Sequence, residues 1–324
     1  MLRALRVSLL VCGLALASSG LCADAAGTPA AADAPAAKPG ELPDVLIEAP
    51  EPQFVVPTRR DRIGRIWAPV TINGKGPFRL VFDTGASRSG VTAAVAAALG
   101  VTPNESRRLR LRGVTGTSTV PTIRADSFQI GELLLQPLTM PVLADAFGGA
   151  EGILGTEGLD DKRVRIEFRR DRIIITRSHS ERAPPGFITI PFDRSRGKLP
   201  VVDARMGNVP IKAIIGTGGQ ATIGNLALRD ALRKRQNEQP SVDTIVGATL
   251  DVQEGEGRSA PPIVLGALQI RSARVTFGDM RIFEHWNLAG KPAVLIGMDA
   301  LGLLDTLIID YRRRELQVSL PGGG

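Results

Sequence analysis

The chain is poor in the residues that cross-link a protein or bind metal. Of its 324 residues, two are cysteine and two are histidine. Cys12 and Cys22 both fall in a leader-like N-terminal segment. The body that follows therefore has no disulfide, no thiol nucleophile and no Cys-ligated metal. His179 and His285 sit in no recognisable motif, which excludes a His-rich metal site and leaves no evident Ser-His-Asp triad. No metal or other cofactor is expected. Tyrosine occurs once, at Tyr311, and aromatics make up only 4% of the chain, so the core has to be mainly aliphatic. Beyond the leader, no apolar run approaches the ~20 residues that a membrane-crossing helix needs.

Turn formers and apolar residues are plentiful. There are 36 glycines and 23 prolines, and 43% of the residues are hydrophobic. This composition, over a length sufficient for two domains, points to a β-rich fold. Arg3 and Arg6, the short apolar stretch 7–17 and the small-x-small pattern Ala23-Asp24-Ala25 read as a signal peptide over residues 1–25. A retained anchor is disfavoured by the short apolar run. A lipoprotein is disfavoured by bulky Leu21 before Cys22. The expected location is periplasmic or secreted, with no integral span once the leader is removed. Residues 26–46, rich in Ala and Pro, read as a disordered linker. Net charge is +7. The runs Arg169-Arg170 and Arg312-Arg313-Arg314 read as solvated hairpin tips rather than a membrane-facing patch. The leader and the lack of a matching motif argue against a nucleic-acid partner.

From about residue 65 the sequence repeats. Phe78-Arg79-Leu80-Val81-Phe82-Asp83-Thr84-Gly85 returns as Ile211-Lys212-Ala213-Ile214-Ile215-Gly216-Thr217-Gly218. Each copy follows a hairpin turn, Asn73-Gly74 in the first and Gly207-Asn208 in the second. Each precedes a short helix, with Thr92 and Asn225 expected as N-caps and Gly100 as a stop. Ile153-Leu154-Gly155 matches Leu295-Ile296-Gly297, and the strand pair around Phe168 matches that around Tyr311. The boundary falls near 179–186. The repeat sets an N-terminal unit at 47–180 and a C-terminal unit at 186–321.

A carboxylate followed by Thr-Gly at the end of an apolar strand has a definite chemistry. Two such turns facing each other place two carboxyls within a few ångströms. Like charges that close cannot both ionise, so one stays protonated. The ionised member takes a proton from water, and the protonated member polarises the scissile carbonyl.

With Gly76 to Ser87, Leu99-Gly100-Val101 and Ile153-Leu154-Gly155 in view, the chain resembles the bacterial retropepsin-like aspartyl peptidase family. The resemblance runs over about 65–320. It implies an all-β fold of two tandem retropepsin-like β-barrel lobes with short helices, related by a pseudo-twofold axis. It further implies an aspartic endopeptidase in which water activated by Asp83 hydrolyses a peptide bond in the inter-lobe cleft. Thr84 and Thr217 would interlock beneath the turns, and Gly85 and Gly218 would allow close approach. Residues 113–117 and 247–249 would be flap-like hairpins. Larger members carry a flap tyrosine, which Tyr311, in a terminal strand, does not supply. Asp299 reads as a helix N-cap rather than a cleft residue, and Asp203 as exposed on its strand.

Gly216 is the degenerate second catalytic position, since it stands where the repeat calls for a second aspartate. Three readings follow. The position was altered and the enzyme impaired; the protein is a pseudopeptidase binding extended peptides in the cell envelope; or two chains exchange lobes so that two copies of Asp83 meet. The expected partner is a peptide or protein substrate, bound by a monomer whose lobes pair within one chain.

Overall fold

A computed structural model describes residues 54–322, apart from 58, 61–63, 132, 136, 146–147, 195–198 and 233–239. The segments read as signal peptide (1–25) and linker (26–46) lie outside the described residues. The described chain is mostly β, with a few short helices.

The first hairpin pairs Ile66–Ile72 with Lys75–Phe82. Its outgoing strand buries every second residue, the period of a half-buried strand. Asn73 and Gly74 both take positive φ, 49° and 73°, as a two-residue turn matched to the strand twist requires. The Asn73 side-chain oxygen then accepts from the amides of Asp126 and Ser127, tying the turn to a distant loop. Val201–Met206 and Val209–Ile215 form the corresponding hairpin later in the chain.

Each hairpin leads through a tight turn into a short strand and a helix. In the first half these are Gly90–Thr92 and Ala93–Leu99; in the second, Ile223–Gly224 and Leu226–Leu232. Asn225 caps its helix by accepting from the Leu228 amide at 2.9 Å. Thr92 occupies the expected cap position, but its side chain makes no cap hydrogen bond. Gly100 ends the first helix in the left-handed conformation.

The halves build sheets of ten and nine strands, and the path through both is the same. In the first half it runs from the long hairpin Asn104–Arg112 and Thr117–Ala125, through Leu138–Leu143, Gly90–Thr92 and Gly152–Leu154, to Lys75–Phe82 and Ile66–Ile72. In the second it runs from Ser241–Val246 and Val252–Ser259, through Arg274–Phe277, Ile223–Gly224 and Ala293–Ile296, to Val209–Ile215 and Val201–Met206.

A third sheet of six strands joins the halves. At its centre Lys162–Glu167 from the first half pairs antiparallel with Thr306–Asp310 from the second. Pro50–Gly324 accordingly forms one compact unit. The main aliphatic core is continuous through this region, from Leu80, Phe82 and Phe128 past Ile166 and Phe168 to Ile309 and Tyr311. Among the described residues, no helix is long and apolar enough to cross a membrane.

Candidate active site

The two Thr-Gly turns meet at the junction of the halves. Each is anchored the same way on its own half. The Asp83 amide donates to the Leu154 carbonyl at 2.9 Å, and the Gly216 amide to the Ile296 carbonyl at 3.0 Å. Parallel pairing of Phe82 with Leu154, and of Ile215 with Ile296, sets these contacts.

Across the junction the turns interlock through four reciprocal hydrogen bonds. The Thr84 hydroxyl donates to the Ile215 carbonyl at 2.6 Å, and the Thr217 hydroxyl to the Phe82 carbonyl at 2.7 Å. Each hydroxyl also accepts the other threonine's amide, at 3.1 and 3.2 Å. Both threonines are fully buried. Hydroxyls are suited to this arrangement because one atom donates and accepts at once.

Asp83 sits half-buried above the interlock. Its Oδ1 accepts from the Gly85 amide at 2.7 Å, and its carboxylate lies against the Gly218 backbone. A Cβ at position 218 would overlap that carboxylate, so a side chain there would displace it. Burial pushes the Asp83 pKa up, and it outweighs the opposing pull of the Gly85 and Gly218 amides and of the Arg65 charge. Gly216 is buried beside the interlock and brings no carboxylate.

A second pair of polar clusters supports the turns. In the first half, the Gly155 amide donates to the Ser89 hydroxyl at 3.0 Å, and the Ser89 amide to Glu157 Oε1 at 2.6 Å. In the second, the Gly297 amide donates to the Thr222 hydroxyl at 3.2 Å. Thr222 in turn donates to Asp299 through its hydroxyl at 2.6 Å and its amide at 2.9 Å. Asp299 is therefore neither in the cleft nor an N-cap. Gly297 occupies the cap position of helix Met298–Leu301, and the Asp299 carboxylate turns back onto Thr222. Sequence reasoning missed Ser89, Thr222 and Glu157. The available signal was that Ser89 and Thr222 have the same spacing as Thr84 and Thr217, 133 residues. Asp203 is exposed and ion-paired to Lys212.

The two long hairpins reach across to each other. At their tips Gly113 lies against Thr249, Gly247 against Thr115, and Gly116 against Asp251. Val114 packs on the opposite half, in the cluster containing Ile214 and Leu295, and its carbonyl accepts from the Ile282 amide at 3.3 Å. Ala248 packs with Val81 and Leu143 of the first half. The tips thus rest on residues flanking both turns. Arg112, at the end of the first hairpin's outgoing strand, contacts His285 Nδ1 at 2.9 Å. Tyr311 is on neither hairpin; it is buried in the main core, edge-on to Phe192.

Residues 68–157 match a family model. That family is aspartyl protease. The matched segment holds Asp83, the strand ending at it, the first long hairpin and Gly155. No curated protein matches the chain.

Proposed function

We propose that the protein is an aspartic-peptidase-type hydrolase that takes an extended polypeptide between its halves, with Asp83 as its reactive carboxylate. The observation that carries this reading is the reciprocal Thr84–Thr217 interlock, which holds Asp83 at the junction below the hairpin tips. The aspartyl protease match over 68–157 supports it.

In such a site Asp83 takes a proton from a bound water as the water oxygen bonds to the scissile carbonyl carbon. The C–N bond then breaks, and the proton passes to the leaving amine. A second carboxyl would hold a proton on the carbonyl oxygen throughout. With Gly216 in its place that help is missing, and turnover falls by the ~10²–10⁴-fold that a positioned acid contributes.

Gly216 favours a second reading, in which the cleft binds peptide without cleaving it. Protonated Asp83, which burial maintains to higher pH than usual, would donate a hydrogen bond to a peptide carbonyl. On either reading we place the protein in the periplasm or outside the cell, from its leader-like residues 1–25, acting as a monomer whose halves pair within one chain.

The deciding experiment is incubation with a diverse peptide library between pH 3 and 7, with binding followed in parallel. Slow cleavage that falls away in acid as Asp83 takes up its proton, and that Asp83→Asn abolishes, supports the hydrolase. Binding without cleavage selects the second reading. Neither binding nor cleavage overturns both.

A further inference from the structure

The near-symmetry of the junction lets each half be compared with the other. In the first half, the Gly85 amide donates to the carboxylate two residues before it. The same relation in the second half would give the Gly218 amide to a carboxylate at 216. Instead, Asp83 itself lies against Gly218, where a Cβ would come within 2.2 Å of its carboxylate carbon. One carboxylate fills the space beside both turns, which a symmetric site would divide between two.

Position 216 is also closed from above. A Cβ there would lie 2.6 Å from Leu295 Cδ1 and 3.4 Å from Leu295 Cγ. The backbone at 216 lies outside the left-handed region, so a side chain is opposed by the lack of space rather than by conformation. Leu295 is only 6% exposed and is held in a cluster with Ile214, Ile223, Met280 and Phe283. Its counterpart in the first half, Ile153, is half-buried against the smaller cluster of Val81, Leu143 and Ala150.

We propose that Leu295 stands where the second carboxylate would emerge, and that the second half-site is packed as an apolar wall around a single-carboxylate centre. On this view Gly216 is not an isolated lesion, and returning an aspartate to it alone does not return a working pair. The proposal rests on the reading of the cleft as a peptide site, but the packing it describes is measurable without peptide.

Four proteins test it: the parent, Gly216→Asp, Leu295→Val and the double variant. Leu295→Val removes the offending δ-carbons and keeps a branched apolar side chain. In thermal unfolding, Gly216→Asp is expected to lower the midpoint, and adding Leu295→Val to raise it again, although Leu295→Val alone is expected to lower that of the parent. This reversal of sign is the signature of the Leu295 contact. A double variant no more stable than Gly216→Asp overturns the packing proposal.

In acid cleavage of a peptide the parent binds, Gly216→Asp alone is expected to gain less than ~10-fold in kcat/KM. The double variant is expected to gain about 100-fold or more, with a two-limbed pH profile that Asp83→Asn removes. Gly216→Asp matching the double variant overturns the proposal, and so does a double variant that binds peptide but gains nothing. If no variant binds peptide, the peptide-cleft reading fails, while the thermal comparison still decides the role of Leu295.

Discussion

Asp83 is pulled in opposite directions by its surroundings. Burial disfavours its charge, whereas the Gly85 and Gly218 amides and Arg65 favour it, and burial prevails. A carboxyl with a raised folded pKa adds stability that is complete below its unfolded value of 3.8. That contribution is lost as pH rises through the folded value. Asp83→Asn keeps an acceptor for the Gly85 amide and carries no charge, so it is expected to raise the thermal midpoint at pH 7, with the gain shrinking toward pH 4. Thermal unfolding at several pH values checks this; a midpoint that falls at pH 7 would contradict the raised pKa. Beneath Asp83, Thr84→Ala removes a donor to Ile215 and an acceptor for the Thr217 amide, both fully buried. The expected cost is about 2–4 kcal/mol, measured by denaturant unfolding. Thr84→Ser, which keeps the hydroxyl, is expected to recover most of it.

The elements that reach over the site are the two long hairpins, whose glycines allow their tips to cross. Thr115 is 2% exposed, and a Cβ on Gly247 would overlap its hydroxyl. The Thr115 and Thr249 hydroxyls are buried without hydrogen-bond partners, a cost that the tip packing has to offset. Gly247→Ala is therefore expected to part the tips. Amide hydrogen exchange at 113–116 and 247–251 should speed up while exchange in Lys162–Glu167 is unchanged; unchanged tips would argue against the crossing. His285 reports the same contact. Burial first, then the charges of Arg112 and Arg110, hold its pKa below the ordinary 6.5. An NMR titration is expected to place its midpoint below that value, and Arg112→Ala to move it upward. The hairpins themselves were expected at 113–117 and 247–249 from the family resemblance. Their crossing was not, because it depends on which tip lands on which glycine some 130 residues away.

At the scale of the molecule, the six-stranded sheet makes two similar halves into one structure. Glu167, 4% exposed at the end of its central strand, lies among Arg165, Arg170 and Arg172. Burial would raise its pKa, but the Arg172 hydrogen bond and the three positive charges together hold it low. A carboxylate with a depressed pKa adds stability above its unfolded value of 4.5, and this is lost as pH falls through the folded value. Glu167→Gln is expected to cost about 1–3 kcal/mol at pH 7, a range reduced because the arginines reach solvent, and little at pH 3. Because the central strands come from opposite halves, calorimetry on the parent is expected to show one cooperative transition. Two resolved transitions would mean that the halves unfold independently.

Much of the site was readable in the linear chain. Alternating apolar strands, paired turn signals and the recurrence of Thr-Gly aligned Thr84 with Thr217, because strand period and turn conformation are local properties, and the resemblance to the aspartyl peptidases implied that the two face each other. The sequence alone also determined that one turn carries an aspartate and the other a glycine. Only the tertiary structure shows what surrounds that glycine. The Asp83 carboxylate lying against Gly218, the Leu295 side chain lying over position 216 and the Asp299 carboxylate bonded to Thr222 are contacts between segments far apart in the chain. Their geometry follows from how the packed sheets bring those segments together, which no local pattern encodes.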